Sequence, residues 1–67
     1  MKLESERKTV KAISKYRYEV VLMKDSRDVY YISAFNKITN KTKNASILDY
    51  GMANSIFDAY INTLEGN

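Results

Sequence analysis

The spacing of the apolar residues changes near residue 49, and this change determines the fold class. Between residues 16 and 48, aromatic and β-branched residues recur with a period of two, as in Tyr16, Tyr18 and Val20, which is typical of β-strands. After residue 49, apolar residues recur at intervals of three and four, which is the spacing along one face of a helix. The sequence therefore predicts an α+β fold, in which strands are followed by one amphipathic helix. The helical stripe consists of Ala53, Ile56, Phe57, Tyr60, Ile61 and Leu64.

The strand region divides into a three-stranded antiparallel meander. The first strand covers residues 9–23, which is long for one strand, so we expect a bend or bulge near Ser14, or a separate short strand over residues 9–13. Residues 1–8 are polar and are predicted to form a tail, or a short helical start, outside a domain that covers residues 9–67.

Two polar turns separate the predicted strands. Residues 24–28 form the first turn, and the second strand runs from Val29 to about Ile38. A tight turn over residues 39–42 contains Asn40, a residue type that tolerates positive φ, and the third strand ends at Leu48.

The helix begins after Asp49, whose carboxylate suits the N-cap, and it ends at Gly66. Neither an isolated meander nor an isolated helix is stable in water, so the helix is predicted to cover one face of the sheet. With a three-residue first loop, Lys24 pairs with Asp28, and with a two-residue second loop, Ala34 pairs with Ile47. This register assigns a set of residues to the helix-covered face. They are Tyr18, Val20, Leu22, Tyr30, Ile32, Ala34, Ala45 and Ile47.

The chain has 67 residues and contains neither Cys nor His. A domain of this size buries too little surface to be more than marginally stable, and disulfides or zinc sites of the usual kind are excluded.

Without His or Cys the commonest general base and the thiol nucleophile are also missing. The carboxylates Asp25 and Asp28 are interpreted as turn formers. We therefore predict that the protein is not an enzyme and holds no metal or cofactor.

With disulfides and zinc excluded, self-association remains as an additional source of stability. One helix covers only one face of the sheet, so the other face is available for contact with a second molecule. The residues predicted on this face are largely apolar, which predicts a homodimer that also binds another protein. The alternative is that residues 1–13 fold back and cover this face within one chain. A small inhibitor or adaptor of a phage, a mobile element or a low-GC bacterium fits the size and composition as a hypothesis. The predicted interface residues are Val21, Met23, Val29, Tyr31, Phe35 and Leu48.

The charge distribution supports a second hypothesis, which is nucleic-acid binding. Residues 1–43 carry a net charge of +6, whereas residues 44–67 carry −3. Tyr16, Tyr18 and Tyr31 lie near the basic residues and offer stacking surfaces. The alternative is an ordinary solvated surface whose lysines protect the sheet edges. The predicted basic patch consists of Lys11, Lys15, Arg17, Lys37, Lys41 and Lys43.

Membrane insertion and secretion are not expected from this sequence. No apolar run approaches the roughly 20 residues that span a bilayer, and the charged N-terminus has no apolar core behind it. The sequence therefore predicts a cytoplasmic protein with no membrane partner.

Overall fold

The computed structural model describes residues 6–66, which form a four-stranded antiparallel sheet with one helix packed on it. The strand order is the order along the chain. The α+β class and the C-terminal helix are confirmed, but the sheet has four strands instead of three. The elements are β1 (Lys8–Ser14), β2 (Tyr18–Lys24), β3 (Tyr30–Asn36), β4 (Lys41–Ile47) and α1 (Tyr50–Glu65).

The additional strand arises because the chain reverses direction just after Ser14. The N–H of Lys15 donates to the carbonyl of Tyr18 at 2.8 Å, which closes a tight turn. The bend expected near Ser14 is therefore a hairpin, and the alternative of a separate N-terminal strand is correct. Pairing between β1 and β2 is irregular between Thr9 and Lys11, where Val10 forms a bulge. Of the predicted tail, residues 1–5 lie outside the described residues.

The predicted register is wrong in both remaining hairpins. Lys24 pairs with Tyr30 instead of Asp28, and Ala34 pairs with Lys43 instead of Ile47. The turns, residues 25–29 and 37–40, are longer than expected. Each register differs from the prediction by an even number of residues, so every strand side chain keeps its predicted face. The buried core is Tyr18, Val20, Leu22, Ile32, Ala34, Ala53 and Phe57.

The helix has the predicted start and crosses the sheet diagonally. The Asp49 carboxylate accepts from the N–H of Met52 at 2.8 Å, as an N-cap should. At this end the centre of the Tyr50 ring lies 5.3 Å from the centre of the Tyr30 ring on β3. At the other end the Tyr18 hydroxyl of β2 donates to Glu65 at 2.6 Å. Within residues 6–66, no helix combines the length and apolarity that crossing a membrane requires.

The β2–β3 turn is organised by a buried carboxylate, Asp25, which confirms its predicted role as a turn former. It accepts from the N–H groups of Arg27 (2.9 Å) and Val29 (3.1 Å), from the Tyr31 hydroxyl (2.9 Å) and from the Arg27 guanidinium (3.1 Å). Burial alone would raise the pKa of this carboxyl. The hydrogen bonds outweigh burial and lower the pKa to about 2 from its ordinary 3.8.

We expect acid to destabilise the protein through Asp25. Because the folded-state pKa is the lower one, the stabilising contribution is complete above the ordinary pKa and is lost as the pH falls from about 4 towards 2. Asp25→Asn should melt at a lower temperature than wild type at neutral pH, and this difference should shrink as the pH falls. Thermal melts followed by circular dichroism test this, with Asp58→Asn, on the exposed helix surface, as the matched control. Equal differences at neutral and acidic pH would contradict the assignment.

Candidate functional site

The predicted protein interface is only partly assembled by the fold. Val21, Met23, Tyr31 and Phe35 lie together on the uncovered face of β2 and β3, where Met23 is directly opposite Tyr31. All four are half-buried. Leu48 was expected on this face, but β4 ends at Ile47, and Leu48 is 77% exposed in the bend before the helix. Val29, also expected there, lies in the turn that precedes β3.

The uncovered sheet face is not a continuous apolar patch. Polar residues, among them Ser33, Asn44 and Ser46, occupy much of it, and the Arg7 guanidinium lies 3.7 Å from the centre of the Tyr31 ring. The large apolar side chains that are exposed within residues 6–66 lie instead in the β1 bulge, in turns, in the bend before the helix and in its first turn. They are Val10, Tyr16, Ile38, Leu48, Tyr50 and Met52.

The predicted basic patch is assembled much more completely. Five of its six residues come together where the β1–β2 and β3–β4 turns lie side by side, and we call this surface the basic end. The sixth, Lys11, is on the edge strand β1, with its ammonium 4.7 Å from the centre of the Phe57 ring. The basic end consists of Lys15, Arg17, Lys37, Lys41 and Lys43.

Hydrogen bonds between the two turns hold the basic end together. The backbone N–H of Lys37 donates to the carbonyl of Arg17 at 2.9 Å. The Lys37 ammonium donates to the carbonyl of Lys15 at 2.8 Å and to the Ser14 hydroxyl at 3.3 Å. Lys41 follows directly in β4, opposite Asn36. Residues about 20 positions apart in sequence are therefore fixed beside each other.

The shape of the β3–β4 turn depends on two asparagines. The side-chain oxygen of Asn36 accepts from the N–H groups of Ile38 (2.9 Å) and Thr39 (3.1 Å). Asn40 has a φ of 60°, the left-handed conformation that Asn tolerates better than most residues, as predicted. These asparagines direct the chain so that Lys37 and Lys41 flank the same turn.

Two ion pairs between basic and acidic residues lie at the opposite end of the sheet. The two ion pairs found there are Lys24–Asp28 at 3.0 Å and Arg27–Asp25 at 3.1 Å. Near the basic end, Glu65 accepts the hydrogen bond of Tyr18, and this hydrogen bond raises the pKa of the Tyr18 hydroxyl.

Only one of the three tyrosines proposed for stacking is available at the basic end. Tyr16 is 89% exposed in the turn between Lys15 and Arg17. Tyr18 is buried beneath the helix, and the Tyr31 ring is covered by Arg7 on another part of the sheet. Tyr18 also has charged neighbours on both sides, so no sequence signal distinguishes Tyr16 from it.

A groove beside the basic end was not predicted. It has a volume of about 350 Å³ and lies between β4 and the C-terminal half of α1. Because the helix crosses diagonally towards β2, it leaves the first half of β4 uncovered. Sequence patterns carry no information about this crossing direction. The groove is lined mainly by Ala34, Asn36, Lys41, Lys43, Ala59 and Tyr60.

The fold and this surface define a small α+β domain with one basic end and no clustered metal ligands within residues 6–66. No protein-family model, no curated protein and no solved structure matches the chain.

Proposed function

We propose that this protein is a non-catalytic nucleic-acid-binding module that contacts the phosphate backbone through its basic end. One observation carries the proposal: two hairpin ends about 20 residues apart in the sequence place five basic residues and the exposed Tyr16 at one end of the sheet. Cationic side chains neutralise phosphates, and contacts with phosphates supply most of the affinity in sequence-independent binding.

Tyr16 favours nucleic acid over an acidic protein as the partner. An exposed aromatic ring between cationic residues offers a face on which a base stacks, whereas an acidic peptide needs only the charges. The net charge of +3 adds a long-range attraction for polyanions.

The test is titration of fluorescently labelled single-stranded and double-stranded DNA and RNA at several salt concentrations, with anisotropy as the readout. If all five basic residues contact phosphates, the logarithm of the affinity for a single strand should fall with the logarithm of salt with a slope of about −3.5. Absence of binding at about 50 mM salt would rule out the proposal.

The first hypothesis from the sequence, a homodimer that binds another protein through the sheet face, stays a prediction. Its apolar residues are fewer and less exposed than the sequence suggested, and two of the six lie elsewhere. The structure therefore offers more support for the basic end.

A further inference from the structure

The groove between β4 and α1 continues directly from the basic end. Lys41 belongs to both, and so does Lys43, because these side chains project from β4 on the helix side. Opposite them, the helix contributes the small side chain of Ala59 and the ring of the half-buried Tyr60. The groove therefore combines a mostly apolar interior with a cationic rim.

We propose that this groove receives one unpaired base of a bound single strand, while Lys41 and Lys43 contact the adjacent phosphates. This inference rests on the proposed function and specifies the form of nucleic acid that is bound. A base inside a duplex is stacked and paired, so it cannot enter a groove unless the strand is open.

The dimensions and chemistry of the groove fit this occupant. Its volume of about 350 Å³ lies at the lower end of the range for small-molecule sites, which suits one base better than a larger ligand. Tyr60 supplies an aromatic surface, and apolar contacts around it accommodate any base. The Asn36 amide is held in place by the turn through its oxygen, which leaves its N–H₂ group as a donor for a base edge.

Charge complementarity favours a nucleotide over an apolar peptide in the same groove. Docking an apolar side chain would place Lys41 and Lys43 beside a partner that offers them no charge. A nucleotide carries its anionic phosphate next to its apolar base, which matches the arrangement of the groove and its rim.

The test compares strands that share a backbone but differ in bases. Oligothymidylate and an abasic deoxyribose strand of equal length are titrated against the Tyr16→Ala variant, in which stacking on the turn is removed. We expect the abasic strand to bind about tenfold more weakly than oligothymidylate, within the range that one stacked base provides.

A second variant tests whether the weaker binding of the abasic strand arises from the groove. In the Tyr16→Ala background, Ala59→Trp should fill the groove and reduce the affinity for oligothymidylate to that for the abasic strand. The control is Ser55→Trp, at an exposed position one helical turn nearer the N-terminus, which should leave the affinities unchanged. Thermal melts verify that both variants fold.

The outcomes separate this inference from the proposed function. If Tyr16→Ala binds the abasic strand as tightly as oligothymidylate, or if Ala59→Trp leaves the preference intact, the groove does not receive a base, although the basic end still binds phosphates. If wild type binds none of the strands or duplexes, the proposed function and this inference both fail.

Discussion

Replacing Phe57 by alanine is expected to lower the free energy of unfolding by about 3–5 kcal/mol. The Phe57 side chain is 5% exposed and belongs to the single buried core, where it joins α1 to the sheet. Removing the ring leaves a cavity that the rigid sheet cannot close. Because small domains have a total stability of about 5–15 kcal/mol, this loss removes a large part of it. Urea denaturation followed by circular dichroism measures the change.

Ser55→Ala is the matched control, because Ser55 is exposed on the opposite side of the same helix. Asn54→Ala is unsuitable as a control, although Asn54 lies outside the apolar stripe of the helix. Asn54 is half-buried, and its side-chain oxygen is buried without a hydrogen-bond partner. Ile61 was expected to be buried with Phe57 but is only half-buried, so its replacement should cost less. An unchanged unfolding midpoint for Phe57→Ala would show that the helix is not docked through this ring.

The double variant Lys15→Gln, Lys41→Gln is expected to bind single-stranded nucleic acid about a hundredfold more weakly at low salt. Each lysine lies at the basic end, and a hydrogen bond to a charged group contributes about 1.5 kcal/mol or more, which corresponds to about tenfold in affinity. Loss of two phosphate contacts should also make the salt slope shallower by about 1.4. Lys37 is left intact because its ammonium joins the two turns.

The control for this variant has the same net charge but changes the other end of the sheet. Lys8→Gln, Lys24→Gln removes two lysines at the end of the sheet opposite the basic end. It breaks an exposed ion pair with Asp28, which contributes little to stability, and a contact of the Lys24 ammonium with the Tyr30 ring at 5.8 Å. This control should bind nearly as tightly as wild type. Equal weakening in both double variants would indicate that net charge, and not the basic end, determines binding.

The secondary structure was largely predictable because it depends on local patterns. The helical spacing, the N-cap at Asp49 and the turn residues Asp25 and Asn40 each act within a few positions of the chain. The separation of β1 from β2 remained an open alternative, since residues 9–23 read equally well as one bent strand. The reversal at residues 15–17 has none of the glycine or proline signals that usually mark a turn.

The candidate site was predictable in composition but not in arrangement. Charge along the chain identified the basic residues, yet it included Lys11, which the fold places on the far edge of the sheet above Phe57. Alternation assigned Val21 and Tyr31 to the correct face, but Leu48 was assigned to β4 because apolar pattern alone does not define the last residue of a strand. Exposure of Tyr16 follows from its turn, which is a tertiary feature.

The sequence by itself determined the fold class and the faces of the residues it assigned to β2, β3 and β4. Alternation has a period of two, and both predicted registers were wrong by an even number of residues. The predicted burial of Val20, Leu22 and Ile32 was therefore correct. Only the tertiary structure decided which turns meet and where the groove opens. These features depend on pairing across the sheet and on the diagonal path of α1, which is set by contacts at its two ends, from Tyr50 to Tyr30 and from Glu65 to Tyr18. Such contacts join residues far apart in the chain, and no local pattern encodes their geometry.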